Sequence, residues 1–277
     1  MVSPESPAGA RSDEQSGLAP SWGVLLEVAY DGQDFHGWAA QRGARTVEEV
    51  LRGAVLALDP RAGPVRGASR TDAGVHAEGQ LAAFDATLAI PARGWALGLN
   101  RHLPPDVAVR SARPVPLGFA PRFAARWKRY RYRVLVDPVR DPGWRKRAWR
   151  VSELDAEALA REGHAAAGTH DFAAFRTASD PRVNTVRTLT RVAVERDADP
   201  RVLSVVVEGN AFLHNMVRIL VGTMTDVARA RLAPGAVARA LSERARGAAG
   251  MTAPAHGLTL EHIEVDLPPG TSARWPP

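Results

Sequence analysis

The chain has 277 residues, 45% of them hydrophobic, enough to bury a substantial core in one large domain or two small ones. It contains no cysteine, which excludes a disulfide framework, thiolate metal sites and a cysteine nucleophile, and is compatible with a reducing cytosol. A formal charge of +6 and a sequence pI near 10.5 favour polyanionic partners such as nucleic acid.

Met1 to Pro20 is rich in Ser, Pro, Ala, Glu and Gly, without the apolar core of a signal peptide, and is expected to be a disordered leader. No apolar run is long enough to span a membrane, so the expectation is a soluble, cytoplasmic protein with no membrane partner. Val24 to Tyr30 reads as a buried strand, and Asp31-Gly32 turns the chain toward Phe35-His36-Gly37-Trp38. A helix is predicted next: Thr46 and Glu49 have capping-box spacing, Val47, Val50, Leu51, Ala54, Val55 and Leu58 build one apolar face, and Pro60 ends it. After a glycine-rich loop follow a short strand over Gln80 to Phe84, a helix opening near Pro91 and a strand from Val107 to Arg113.

Arg126 to Val136 reads as a basic strand, with Tyr130, Tyr132, Val134 and Val136 on one face and Arg129, Arg131 and Arg133 on the other. Asp137 to Arg150, with two prolines, a glycine and five basic residues, reads as a basic excursion. Beyond it, Ser152 and Asp155 cap a helix through Ala167, and strands fit Thr188 to Val194 and Val202 to Val207. Met216, Ile219, Leu220, Thr223 and Val227 make a helical stripe, followed by a helix near Ala236 to Ser242 and a strand near Leu258 to Val265. The pattern predicts an α+β protein with much antiparallel pairing. It divides into a leader over 1–20, a first α/β half over 21–136, a basic linker over 137–151, a second half over 152–267 and a frayed tail over 268–277.

The loop Gly67-Ala68-Ser69-Arg70-Thr71-Asp72-Ala73-Gly74-Val75-His76-Ala77-Glu78-Gly79-Gln80 sets Asp72 among glycines and two residues from an arginine, with Glu78 more distant. Taken alone, Thr71-Asp72-Ala73-Gly74 is equally good turn chemistry. The run closely resembles the signature of the tRNA pseudouridine synthase A (TruA) family, whose Arg-Thr-Asp-Ala-Gly-Val-His core carries the catalytic aspartate. Gly209-Asn210-Ala211-Phe212-Leu213-His214-Asn215-Met216-Val217-Arg218 is similar to that family's second signature. Further matches at Phe35 to Trp38, Gln41, Arg45 to Val47, His170 to Phe172, Phe175-Arg176 and Gly257-Leu258 spread the resemblance over most of the chain.

The resemblance implies two related, ferredoxin- or RRM-like α/β halves whose sheets join in one largely antiparallel central sheet around a basic cleft. It implies an isomerase that converts uridine to pseudouridine at positions 38, 39 and 40 of the tRNA anticodon stem-loop, acting as a homodimer. Asp72 is then the catalytic carboxylate, as nucleophile at C1′ or C6 or as the base that removes the C2′ proton. By the same resemblance Arg218 pairs with Asp72, Arg70 holds the displaced nucleotide, Tyr130 packs on the target uracil and assists proton removal from C5, and Leu258 closes over the base. Tyr132, one alternation further on, better fits a core role.

Arg122, Arg126, Lys128, Arg129, Arg131 and Arg133, interleaved with Phe123, Trp127 and Tyr130, suit contact with folded RNA. For the second basic cluster, Arg140 to Arg150, RNA contact and a solvated face anchored by Trp144 and Trp149 are equally good readings. The eight histidines contain no ligand spacing, and there is no phosphate-binding or dinucleotide glycine motif, so neither a metal nor another cofactor is expected. Ala39 and Thr259 depart from the family pattern and keep open the same chemistry on a free nucleotide or another RNA, while the basic and aromatic residues alone also fit RNA binding without catalysis.

Overall fold

The computed structural model describes residues 19–268; the expected leader before residue 19 and tail beyond residue 268 lie outside the described residues. The elements follow in order as β1 (Trp22–Tyr30), α1 (Val47–Leu58), β2 (Arg66–Gly67), β3 (His76–Ala86), α2 (Ala92–Asn100), β4 (Val107–Val115), α3 (Pro121–Ala124) and β5 (Ala125–Val136). The chain continues through β6 (Trp149–Val151), α4 (Ala156–Ala166), β7 (Gly168–Asp171), β8 (Val186–Arg196), β9 (Val202–Gly209), α5 (Met216–Ala228), α6 (Ala236–Glu243) and β10 (Leu258–Val265).

All the strands join one sheet of order β4-β1-β3-β10-β5-β9-β8-β7, with β2 on β3 and β6 on β5. Its pairs are antiparallel except β10 with β3 and β6 with β5. The chain thus runs β-α-β-β-α-β twice: β1 to β4 in order β4-β1-β3-β2, then β5, β8, β9 and β10 in order β10-β5-β9-β8. The seam is a short parallel pairing of Thr259 and Leu260 with His76 and Ala77. Because β3 begins just after the Asp72 loop and Leu258 and Leu260 oppose Tyr132 and Tyr130, this seam draws loop, β10 and β5 together.

Local sequence explains the elements. Val47, Leu51, Ala54 and Val55 of α1 are buried as their helical spacing requires, and burying each Val or Leu contributes about 1.5–3 kcal/mol. Thr46 donates its hydroxyl to Glu49 Oε2 at 2.9 Å instead of accepting from the helix backbone, so the pair meets side chain to side chain. At α4 the cap is Asp155, which accepts from the amides of Glu157 and Ala158. In β5, Tyr130, Tyr132 and Val134 are buried, whereas Val136 at the strand end is half-buried. The basic excursion is tied to the body: Trp144 Nε1 donates to Asp199 at 2.9 Å, Trp149 packs edge-on against Tyr132, and residues 149–151 pair with β5.

Candidate active site

The Asp72 loop lies between β2 and β3 and is held from both sides. Trp38 N donates to Thr71 O at 3.1 Å, Gly74 N to Phe35 O at 3.2 Å, and the Tyr30 and Thr71 hydroxyls share a 2.8 Å hydrogen bond. Gly37 has φ +91°, and a Cβ there would sit 2.5 Å from Thr71 O, so only glycine allows this approach. On the other flank the buried Gln80 side chain donates to Ser69 O at 2.7 Å and accepts from Ser69 N at 3.2 Å. Gln80→Leu strands both backbone groups, and each buried orphan costs about 1–3 kcal/mol. Urea unfolding is expected to register that loss, together with reduced turnover.

The loop presents Asp72 with Oδ1 3.4 Å from His214 Nε2 and Oδ2 3.7 Å from Arg218 Nη1. Burial pushes its carboxyl above the ordinary aspartate range, and the positive charges of His214 and Arg218 oppose that rise. Arg218 is the one residue of α5 that is not buried. Its guanidinium is fixed by donating Nε to Ala253 O at 2.8 Å and Nη1 to Asn215 Oδ1 at 2.7 Å. Asn215 itself sits in the left-handed region at φ +62°, which asparagine tolerates better than most residues, and this turn aims the start of α5 at the loop.

Tyr130 is buried, packs edge-on against Phe212 with centroids 5.0 Å apart, and shares a 3.3 Å hydrogen bond with Ser69 Oγ. Burial, together with the Asp72 charge and against that hydrogen bond, pushes its hydroxyl up to about 12. Tyr132 is fully buried and donates to Pro254 O at 2.8 Å. A Cβ on Gly257 would fall 2.6 Å from its ring, so glycine lets the segment before Leu258 lie flat on that tyrosine.

These groups open onto a cleft of about 860 Å³. It brings together Arg70, Asp72, Arg122, Lys128, Tyr130, Arg218 and Leu258 from the residues singled out in the sequence. Arg70 is exposed at the cleft, with no hydrogen bond or ion pair among the described residues. Arg126, Arg129 and Arg131 are not brought there. Arg126 pairs with Asp266 at 3.4 Å, Arg129 with Glu208 at 2.8 Å, and Arg131 with Glu195 and Glu261. By strand alternation Arg129 and Arg131 project from the sheet face opposite Tyr130. The sequence reading missed His214 as a partner of Asp72, and Arg182 and Arg187 as lining residues. His214 was within reach of it, four residues before Arg218 in the second signature; the others carry no local pattern.

Fold and cleft together define a mixed α/β protein with a carboxylate held between a histidine and an arginine in a basic groove. A family model described as "tRNA pseudouridine synthase" matches residues 27–124 and 165–266, more than half the chain. Curated relatives named "tRNA pseudouridine synthase A" include one from Geobacter sulfurreducens, 42% identical over 241 residues, 87% of this chain and 98% of the relative. Another, from Myxococcus xanthus, is 42% identical over 254 residues, 91% and 95% of the two chains. A third, from Halalkalibacterium halodurans, is 42% identical over 240 residues, 85% and 89%. The chain belongs to the tRNA pseudouridine synthase family, a family of isomerases. No helix among the described residues is long and apolar enough to cross a membrane, and no cluster of three or more His, Cys, Asp or Glu there could hold a metal ion.

Proposed function

We propose that the protein isomerises uridine to pseudouridine in the anticodon stem-loop of tRNA, at positions 38, 39 and 40, with Asp72 as the catalytic carboxylate. The observation that carries this reading is the placement of Asp72 between His214 and Arg218 in a cleft lined by six lysine and arginine side chains and by only one other carboxylate, Asp180. The cations attract the RNA backbone and keep Asp72 able to ionise despite its burial.

The reaction breaks the bond from C1′ to N1 and forms one from C1′ to C5; C5 loses a proton and N1 gains one, with no redox change. Ionised Asp72 serves as nucleophile at C1′ or C6, or as the base that removes the C2′ proton, and each route needs the carboxylate charged. Arg218, locked by Ala253 O and Asn215, supplies the fixed cation. Tyr130 offers a ring edge and a hydroxyl to the uracil. A phenol pushed up to about 12 is protonated at neutral pH, so Tyr130 takes the C5 proton only as it releases its own, and the proton lost from C5 is balanced by the one that N1 gains, directly or by way of solvent. Arg70, exposed at the cleft, contacts the displaced nucleotide, and Leu258 borders the base. By the same family resemblance the protein acts as a cytoplasmic homodimer.

The test is incubation of purified protein with an unmodified tRNA transcript, and separately with uridine monophosphate, followed by chemical mapping of pseudouridine. Modification confined to the anticodon arm is expected. Conversion of the monophosphate with untouched tRNA would replace the substrate assignment, a possibility raised by Ala39, which lines the cleft where the family pattern differs. Binding of tRNA with no pseudouridine in either reaction would replace catalysis by RNA binding.

A further inference from the structure

The cleft holds four cations for which the reaction at Asp72 has no use, and three of them have no carboxylate partner among the described residues. Arg122, on α3, is exposed and makes no hydrogen bond or ion pair among the described residues. Lys128, on β5, donates to Ser69 Oγ at 3.1 Å and reaches Ala68 O at 3.5 Å, with no carboxylate partner there either. Arg187, at the start of β8, spends Nη1 on the carbonyls of Asn184 and Val186 and leaves Nε buried without a hydrogen-bond partner. Of the four, only Arg182 has a carboxylate, Asp180 at 2.8 Å.

These side chains come from three separate stretches of chain yet feel one another. Burial, reinforced by the charges of Arg122 and Arg182, pushes the Lys128 ammonium down to about 8. Burial and the Arg182 charge likewise lower Arg187, against the opposing charge of Asp180. Gathering like charges with one carboxylate among them is unfavourable, the more so for the partly buried Lys128 and Arg187, and proteins ordinarily pair such groups. This chain does so on the other face of the same strand, where Arg129, Arg131 and Arg133 all meet carboxylates. The unpaired set in the cleft therefore lacks an anion that a ligand must bring. Guanidinium forks and an ammonium suit a phosphodiester, which presents two charged oxygens and no proton to compete.

We propose that Arg122, Lys128 and Arg187, with Arg182 beside them, clamp one backbone phosphate of the RNA near the target uridine, and that Arg129 and Arg131 belong to the scaffold. This rests on the RNA substrate proposed above. It moves the RNA grip from the basic face of β5 to the cleft, and it makes the clamp part of how the target nucleotide is placed over Asp72.

The test is equilibrium binding of an anticodon stem-loop transcript as a function of KCl concentration, made in the Asp72→Asn background so that no turnover intervenes. Removing one phosphate contact lowers the slope of log K against log salt by about 0.7–0.9. The double variant Arg122→Gln/Lys128→Gln is expected to lose about that much in total. The single variants lose part of it each and fail to add, because both groups serve the same phosphate. Arg129→Gln leaves the slope unchanged. Arg122 is exposed, so its replacement leaves the fold intact, and a matching thermal transition verifies this for each variant.

An unchanged slope in the Arg122 and double variants overturns the clamp, as does an equal fall in Arg129→Gln, which would mark general charge attraction. The two proposals fail separately. No pseudouridine from the wild-type protein, with the slope change present, removes the catalytic assignment and retains the clamp as an RNA phosphate site. Pseudouridine formation with no slope change does the reverse.

Discussion

Asp72→Asn is expected to lower pseudouridine formation by more than about a thousandfold, because every route open to this site needs an ionised carboxylate and the amide is neither nucleophile nor base. The same substitution is expected to stabilise the protein at neutral pH. Burial holds the Asp72 carboxyl above its ordinary range even against His214 and Arg218, so the ionised form is less favourable in the folded chain than in the unfolded one. Above the folded pKa that penalty is fully present. It fades as the pH falls through the window between the folded value and the ordinary aspartate value, and below that window both states are protonated. The thermal midpoint of Asp72→Asn should therefore exceed that of wild type near pH 7 and converge with it in acid. A variant less stable than wild type at pH 7 would mean that attraction to His214 and Arg218 outweighs burial. Stability given up at a reactive group is a common accompaniment of function.

Arg218→Met carries the second large effect, a fall in turnover at neutral pH of about 10²–10³-fold, the usual consequence of losing one fixed electrostatic contact at a reacting centre. Its signature is in the pH profile. A cation beside a carboxylate favours the charged form, so removing Arg218 lets burial raise Asp72 further and moves the acid limb of the rate profile to higher pH. Raising the pH is expected to restore part of the lost rate in Arg218→Met and none in Asp72→Asn. Arg218→Lys keeps a charge but cannot hold Ala253 O and Asn215 together through a planar fork, and should fall between wild type and Arg218→Met. If the acid limb stays in place in Arg218→Met, then Arg218 works through its backbone and Asn215 contacts alone.

Most elements were legible because their signals are local. The apolar spacing of α1, the Asp155 cap of α4 and the alternation of Tyr130, Tyr132 and Val134 in β5 are each written within a dozen residues. Strands β2, β6 and β7, of two, three and four residues, escaped because so few positions cannot display a period. For the excursion over Asp137 to Arg150 the sequence leaves RNA contact and an anchored face equally open; Trp144 and Trp149 fasten it to the body through partners distant in sequence, which no local pattern names.

The sequence by itself determined the family and, through that resemblance, singled out Asp72 as the proposed reactive carboxylate, because the family signature is written in adjacent residues. It also determined that the chain is cationic, but not which cations are free. That was decided by tertiary structure: β5 alternates its side chains between two environments, so Lys128 faces the cleft unpaired while Arg129 and Arg131 are neutralised by Glu208, Glu195 and Glu261. Tertiary structure likewise decided where β10 lies. Its insertion between β3 and β5 sets Leu258 beside the Asp72 loop, and His214 meets Asp72 across the fold. Contacts between residues more than a hundred positions apart depend on how whole strands are ordered in the sheet, and no local pattern of side chains carries that information.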